Sequence, residues 1–182
     1  GVVSLSNYGN GGGGGSGGAD GNSGSSSASL SGQNGKGGSF GGGGGGAGPD
    51  VNYAGQYNQA DGAPGCVRIV IGSGYYPSST SQNTNEQVFT SGSGTWTVPA
   101  GVTSVSVVCV GGGGGPFTDN VSAGAGGGLR YYNNLTVTPG SSISYTVGAA
   151  GTWNGTVATD GGNTWFNGTS TGNASVWAGG GT

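Results

Sequence analysis

The sequence contains no histidine and no methionine, and its only basic residues are Lys36, Arg68 and Arg130. Without histidine there is no Ser–His or Cys–His pair to activate a nucleophile, and no lysine stands at Ser-x-x-Lys spacing. The glycine runs lack the Lys-Ser/Thr that follows a phosphate-binding loop. Three scattered cations cannot line a groove for a polyanion, which excludes a nucleic-acid partner. Glu86, Asp119 and Asp160 have no acidic neighbours close in sequence, so paired-carboxylate chemistry has no candidate. Asp20-Gly-Asn22 and Asp160-Gly-Gly-Asn163 resemble calcium loops, but one carboxylate each is too few for a metal. The expectation is a protein that is not an enzyme, with no catalytic residues, cofactor or metal. No run approaches the ~18 apolar residues of a membrane span. A signal peptide and an initiator Met are also missing, so the chain reads as a mature or excised piece.

What is present is glycine, 50 residues of 182, together with four Trp, eight Tyr and four Phe. Low charge with this many aromatics indicates folding rather than disorder. The best-specified stretch is 88–115, VFTSGSGTWTVPAGVTSVSVVCVGGGGG. Thr95 to Val98 is a short β-prone run, turned by Pro99-Ala-Gly101. From Ser104 the residues alternate, with Val105, Val107 and Cys109 on one face and Ser104 and Ser106 on the other, the pattern of a half-buried strand. That strand runs straight into five glycines.

The order F-x-x-x-G-x-W-x-V-P-x-G-V-x-x-V-x-V, carried here by Phe89, Gly94, Trp96, Val98, Pro99, Gly101, Val102, Val105 and Val107, resembles the opening of the glycine-rich domains of bacteriophage tail-fibre and related surface proteins. A later family segment is matched by Leu129, Tyr131, Asn134, Val137, Pro139, Gly140 and Ser141, then Tyr145, Val147 and Gly148. The family's closing strand is matched by Cys66-Val-Arg-Ile-Val-Ile71. Here the closing strand precedes the opening one. The resemblance implies an architecture and a place on an extracellular or virion surface, and it brings no active site.

Glycine spacing in the first block is informative. Gly9, Gly12, Gly15, Gly18, Gly21 and Gly24 recur every third residue, as do Gly32, Gly35, Gly38, Gly41 and Gly44. Polyproline-II helices have three residues per turn, so each series gives one bare edge along which backbones can pack. Near absence of proline excludes a collagen triple helix. Ordering glycine costs roughly 0.5–1 kcal/mol more per residue than ordering Ala, so a flexible Gly/Ser linker is the competing reading. Order is favoured, with Leu30 and Phe40 pinning the layer to the sheet.

Residues 51–65 read as a loop, 66–71 as a strand with Val67, Ile69 and Ile71 on one face, and 73–87 as a linker. Further strands are expected near 129–132, 135–137 and 143–147, with short β-prone pieces at Trp153, Trp165-Phe166 and Val176-Trp177. Helical periodicity is missing. The expected fold is all-β: antiparallel, sandwich-like sheets with packed polyglycine segments and essentially no α-helix. Its domains would be 1–72, closing one domain, the linker 73–87, and 88–182, opening the next.

Cys66 and Cys109 would allow one disulfide if 66–71 runs antiparallel beside 104–110, although Cys66 shares its face with Arg68 and Cys109 with valines. Five Asn-x-Ser/Thr sequons, at Asn120, Asn134, Asn154, Asn167 and Asn173, offer glycan attachment, unless they are accidents of an Asn/Ser/Thr-rich composition. Tyr131, Tyr132, Trp153, Trp165, Phe166 and Trp177 are core candidates, with Tyr131, Tyr132, Trp153 and Trp165 as the ligand-facing alternative. The expected function is a structural subunit of an extracellular filament, self-associating head to tail by strand exchange or as one repeat of a longer polymer; against it stands a permuted monomer whose own 66–71 strand pairs with its own 104–110 strand. The alternatives are a receptor-binding tip recognising a cell-surface glycan or protein, and an ice-binding protein, for which a flat, regular Thr/Ala face is wanting.

Overall fold

The computed structural model describes residues 40–44, 61–72, 86–116, 123–154 and 157–182. Among them the regular elements are all strands: β1 Cys66–Ile71, β2 Glu86–Phe89, β3 Ser93–Thr97, β4 Ser104–Val110, β5 Leu129–Thr136, β6 Ser142–Thr146, β7 Thr164–Phe166 and β8 Val176–Ala178. They form two antiparallel four-stranded sheets, ordered β2-β1-β4-β5 and β3-β6-β7-β8. Among the described residues, no helix is long and apolar enough to cross a membrane.

The sheets face each other across one apolar layer. Period-two alternation sends Val67 and Ile69 of β1, Val105, Val107 and Cys109 of β4, and Trp96, Ile143, Phe166, Val176 and Ala178 of the opposite sheet into it. Trp96 and Phe166 tilt together with ring centroids 6.2 Å apart, and Phe89 stacks on Tyr145 at 3.9 Å. Gly101, at φ +80°, closes the turn before β4, where Val102 N donates to Pro99 O at 3.2 Å. A bulge interrupts β5. Asn133 and Asn134 lie between Tyr132 and Leu135, which pair with Val107 and Val105, and Asn134 takes a left-handed φ of +58°.

Several expectations need amendment. The second face of β4 is buried too, since Val108 and Val110 pack with Cys66 and Phe40. The strand therefore lies inside the protein on both faces. Residues 86 and 87 belong to β2 rather than to a linker, because Arg68 holds Glu86 bidentately (2.6 and 2.8 Å) where β1 pairs with β2. The closing strand pairs within the chain: Cys66 stands opposite Val110 and Ile71 opposite Val105. Its early place in the sequence therefore needs no second copy to complete the sheet. Leu30, and the glycines at 9–24 and at 32, 35 and 38, lie outside the described residues, as do 45–60 and 73–85.

Candidate functional site

Six strands continue directly into glycine-rich extended segments. β1 is entered from 61–65, β5 from 123–128 and β7 from 159–163, while β4 leads into 111–115, β6 into 147–151 and β8 into 179–182. A seventh described segment is 41–44. Beyond the strands there are almost no side chains to hold layers apart, so the segments draw together until backbone touches backbone.

At the centre is 111–115. Its amides donate outward in a three-residue cycle: Gly111 to Gly128 O, Gly112 to Gly162 O, Gly113 to Ala63 O, Gly114 to Ala125 O and Gly115 to Thr159 O, all at 2.8–2.9 Å. Donors three residues apart meet acceptors three residues apart on one neighbour, as a helix with three residues per turn requires. Its carbonyls accept from three other segments: Gly112 O from Gly181 N, Gly113 O from Gly151 N and Gly114 O from Gly44 N, at 2.7–2.9 Å. Six segments thus surround one.

The six also bond to one another in a closed ring. Ala63 N donates to Gly42 O, Gly62 N to Gly151 O, Gly162 N to Ala149 O, Gly161 N to Gly181 O, Gly128 N to Gly179 O and Gly127 N to Gly41 O. This is how a core almost devoid of side chains satisfies its backbone groups.

At four of the five central positions only glycine fits. A Cβ on Gly111 would strike Gly179 O, one on Gly112 would strike Ala149 O, and one on Gly113 would strike Gly42 O. On Gly115 it would sit 2.5 Å from Thr152 O. Where the sandwich narrows into the bundle stands Thr164, fully buried, its Oγ1 accepting from Gly148 N at 2.8 Å. Asn163 Oδ1 similarly accepts from Gly180 N at 2.9 Å. Neither joint is legible in the sequence, because one Thr and one Asn in an Asn/Thr-rich chain carry no distinguishing signal.

The strands run antiparallel as the conditional disulfide required, but Cys66 and Cys109 are not bridged. Both thiols are free and buried, and they lie on opposite faces of the sheet because Cys109 pairs with Val67, one residue beyond Cys66. Burial pushes the Cys66 thiol up to about 11 against the pull of Arg68. It pushes Cys109 up to about 12, reinforced by Cys66. Among the described residues, no three His, Cys, Asp or Glu are grouped to hold a metal.

The aromatic candidates divide. Phe166 is core. Tyr131 and Tyr132 are about half exposed on the edge strand β5, and Trp153 is half-buried in a bridge to Ala158, its amide donating to Asp61 Oδ1 at 2.9 Å. Trp165 and Trp177 are half-buried and outside the apolar layer, contrary to the core placement favoured by the sequence. In three-residue strands they alternate with Phe166 and Val176 and so project from the other face.

Of the sequons, Asn120 lies outside the described residues. Asn134, Asn154, Asn167 and Asn173 are exposed. Three of them use their side-chain amides internally: Asn154 Oδ1 accepts from Val157 N at 2.8 Å, Asn167 Nδ2 donates to Ser175 Oγ at 2.8 Å, and Asn173 Nδ2 donates to Thr169 Oγ1 at 2.9 Å. Asn173 also caps its turn, its Oδ1 accepting from Thr169 N and Ser170 N.

Comparison with known proteins gives one match: residues 88–182 fit a family model described as a glycine-rich domain. No curated protein and no solved structure matches the chain.

Proposed function

The chain belongs to the glycine-rich domain family, and from that premise we propose that it is a non-enzymatic structural subunit of an extracellular fibre whose copies join head to tail. One observation carries the reading. The family-matched part, 88–182, supplies β3–β8 and most of the bundle, but β1 and the segments 41–44 and 61–65 come from outside it. β1 is inserted between β2 and β4, and the two extra segments occupy two of the six places around 111–115.

A domain that takes an interior strand from a neighbouring piece of sequence can take the same strand from a neighbouring molecule. The pairing is identical, and it covers strand edges that would otherwise template aggregation. Donation in one direction is a heterologous contact, which propagates as a filament unless it closes into a ring. The resemblance to tail-fibre domains suggests a virion or cell surface as the setting.

Light scattering and negative-stain microscopy of the full chain, refolded at rising concentration, test this. The expected result is unbranched fibres of growing length. A monomer at every concentration would overturn it.

A further inference from the structure

The outer face of the sheet β3-β6-β7-β8 carries a transverse row unrelated to the bundle. Ser93 pairs with Thr146, Thr146 with Trp165 and Trp165 with Trp177, so one side chain from each strand lies in register across the sheet. Ser93 Oγ and Thr146 Oγ1 are 2.9 Å apart, and the Arg130 guanidinium stands 5.3 Å from the Trp177 ring centroid. With strands ~4.8 Å apart, the four-residue row is roughly 14 Å long, the reach of a few linked pyranose rings. Thr95 and Thr97 of β3 are exposed along the same face, with Ser142 and Ser144 of β6 opposite them.

Among the described residues, burial does not account for the two indoles. The buried layer lies on the other side of their strands, with Phe166, Val176 and Ala178, and neither Trp165 nor Trp177 packs against it. Large amphipathic rings placed side by side at the surface, beside a row of hydroxyls, need a ligand with apolar faces and many hydroxyl groups. The row itself bears no carboxylate, and Arg130 at its end packs over an indole. A polyanion would find too little positive charge there. From these placements we infer that the outer face of β3-β6-β7-β8 binds a linear, uncharged glycan, with sugar rings stacked on Trp165 and Trp177 and hydroxyls meeting Ser93 and Thr146. The site is independent of whether copies join.

Affinity electrophoresis of the full chain, which carries a formal charge of −3, through native gels containing laminarin, xylan, mannan or dextran tests it. Retardation by at least one polysaccharide is expected. Trp165→Ala and Trp177→Ala should each weaken retardation about tenfold or more, whereas Trp165→Phe, which keeps a stacking ring, should stay within about threefold. Tyr131→Ala, on the other sheet, should be retarded like the parent. In the unaltered chain the retarding glycan should also blue-shift the tryptophan emission, a readout that needs no variant. Mobility unchanged by all four polysaccharides, equal retardation of Trp165→Ala and the parent, or an unshifted emission spectrum would each overturn the assignment.

Discussion

The amide of Gly113 donates to the carbonyl of Ala63 across 2.9 Å. Gly113 is the middle residue of the central glycine segment. Ala63 lies fifty positions earlier and outside the family-matched span. This bond ties the upstream piece into the bundle just as the Val67–Cys109 pairing ties it into the sheet. The same stretch of chain therefore completes both layers, and the two should be lost together.

Substituting the central glycine tests the packing. Gly113→Ala places a methyl group on Gly42 O, where only backbone can move, and is expected to lower stability by about 3 kcal/mol or more. Gly172→Ala is the control, because the nearest atom to its Cβ is Ser170 Oγ at 3.8 Å. It should change stability by about 0.5 kcal/mol at most. Urea melts of the two variants give both numbers.

Thr164→Val keeps the shape of the joint but removes the acceptor for Gly148 N. A buried amide left unpaired costs about 1–3 kcal/mol, so this near-isosteric change should destabilise by that amount. Thr164→Ser, which keeps the oxygen, should recover most of it. A valine variant as stable as the parent would show that the hydroxyl is not needed there.

The buried thiols give stability a pH dependence with a definite sign. Folding raises both from the ordinary value of 9.0, to about 11 for Cys66 and about 12 for Cys109. The folded state thus holds protons that the unfolded chain sheds. Their contribution is complete below pH 9 and falls away as pH rises through 11 to 12. Cys66→Ala/Cys109→Ala should flatten the loss of stability above pH 9, whatever its effect on the absolute level. A thiol reagent at pH 8 should label neither residue until the chain is unfolded, and air oxidation should leave both free.

The sequence reveals the side-chain half of this molecule well. Alternation places Val67, Ile69, Val105, Val107 and Cys109 on their observed face, and Pro99-Ala-Gly101 makes its turn. Burial of Val108 and Val110 was not legible, because their partners Phe40 and Cys66 come from far upstream. Nor was the order of segments around 111–115. Those contacts run backbone to backbone, and an amide looks the same on every residue that carries one. Three-residue spacing announces extended helices but cannot say which neighbour each will choose. For Trp165 and Trp177 the sequence leaves the face open, because strands of three residues are too short for alternation to show which side is buried.

Hydrogen exchange on the amides of 111–115 reads the backbone packing of the bundle. Each of them donates to a surrounding segment, so in a packed bundle they should exchange as slowly as Val107 and Cys109 in β4, limited by global unfolding. Complete exchange of these five amides within the dead time, with β4 still protected, would contradict it.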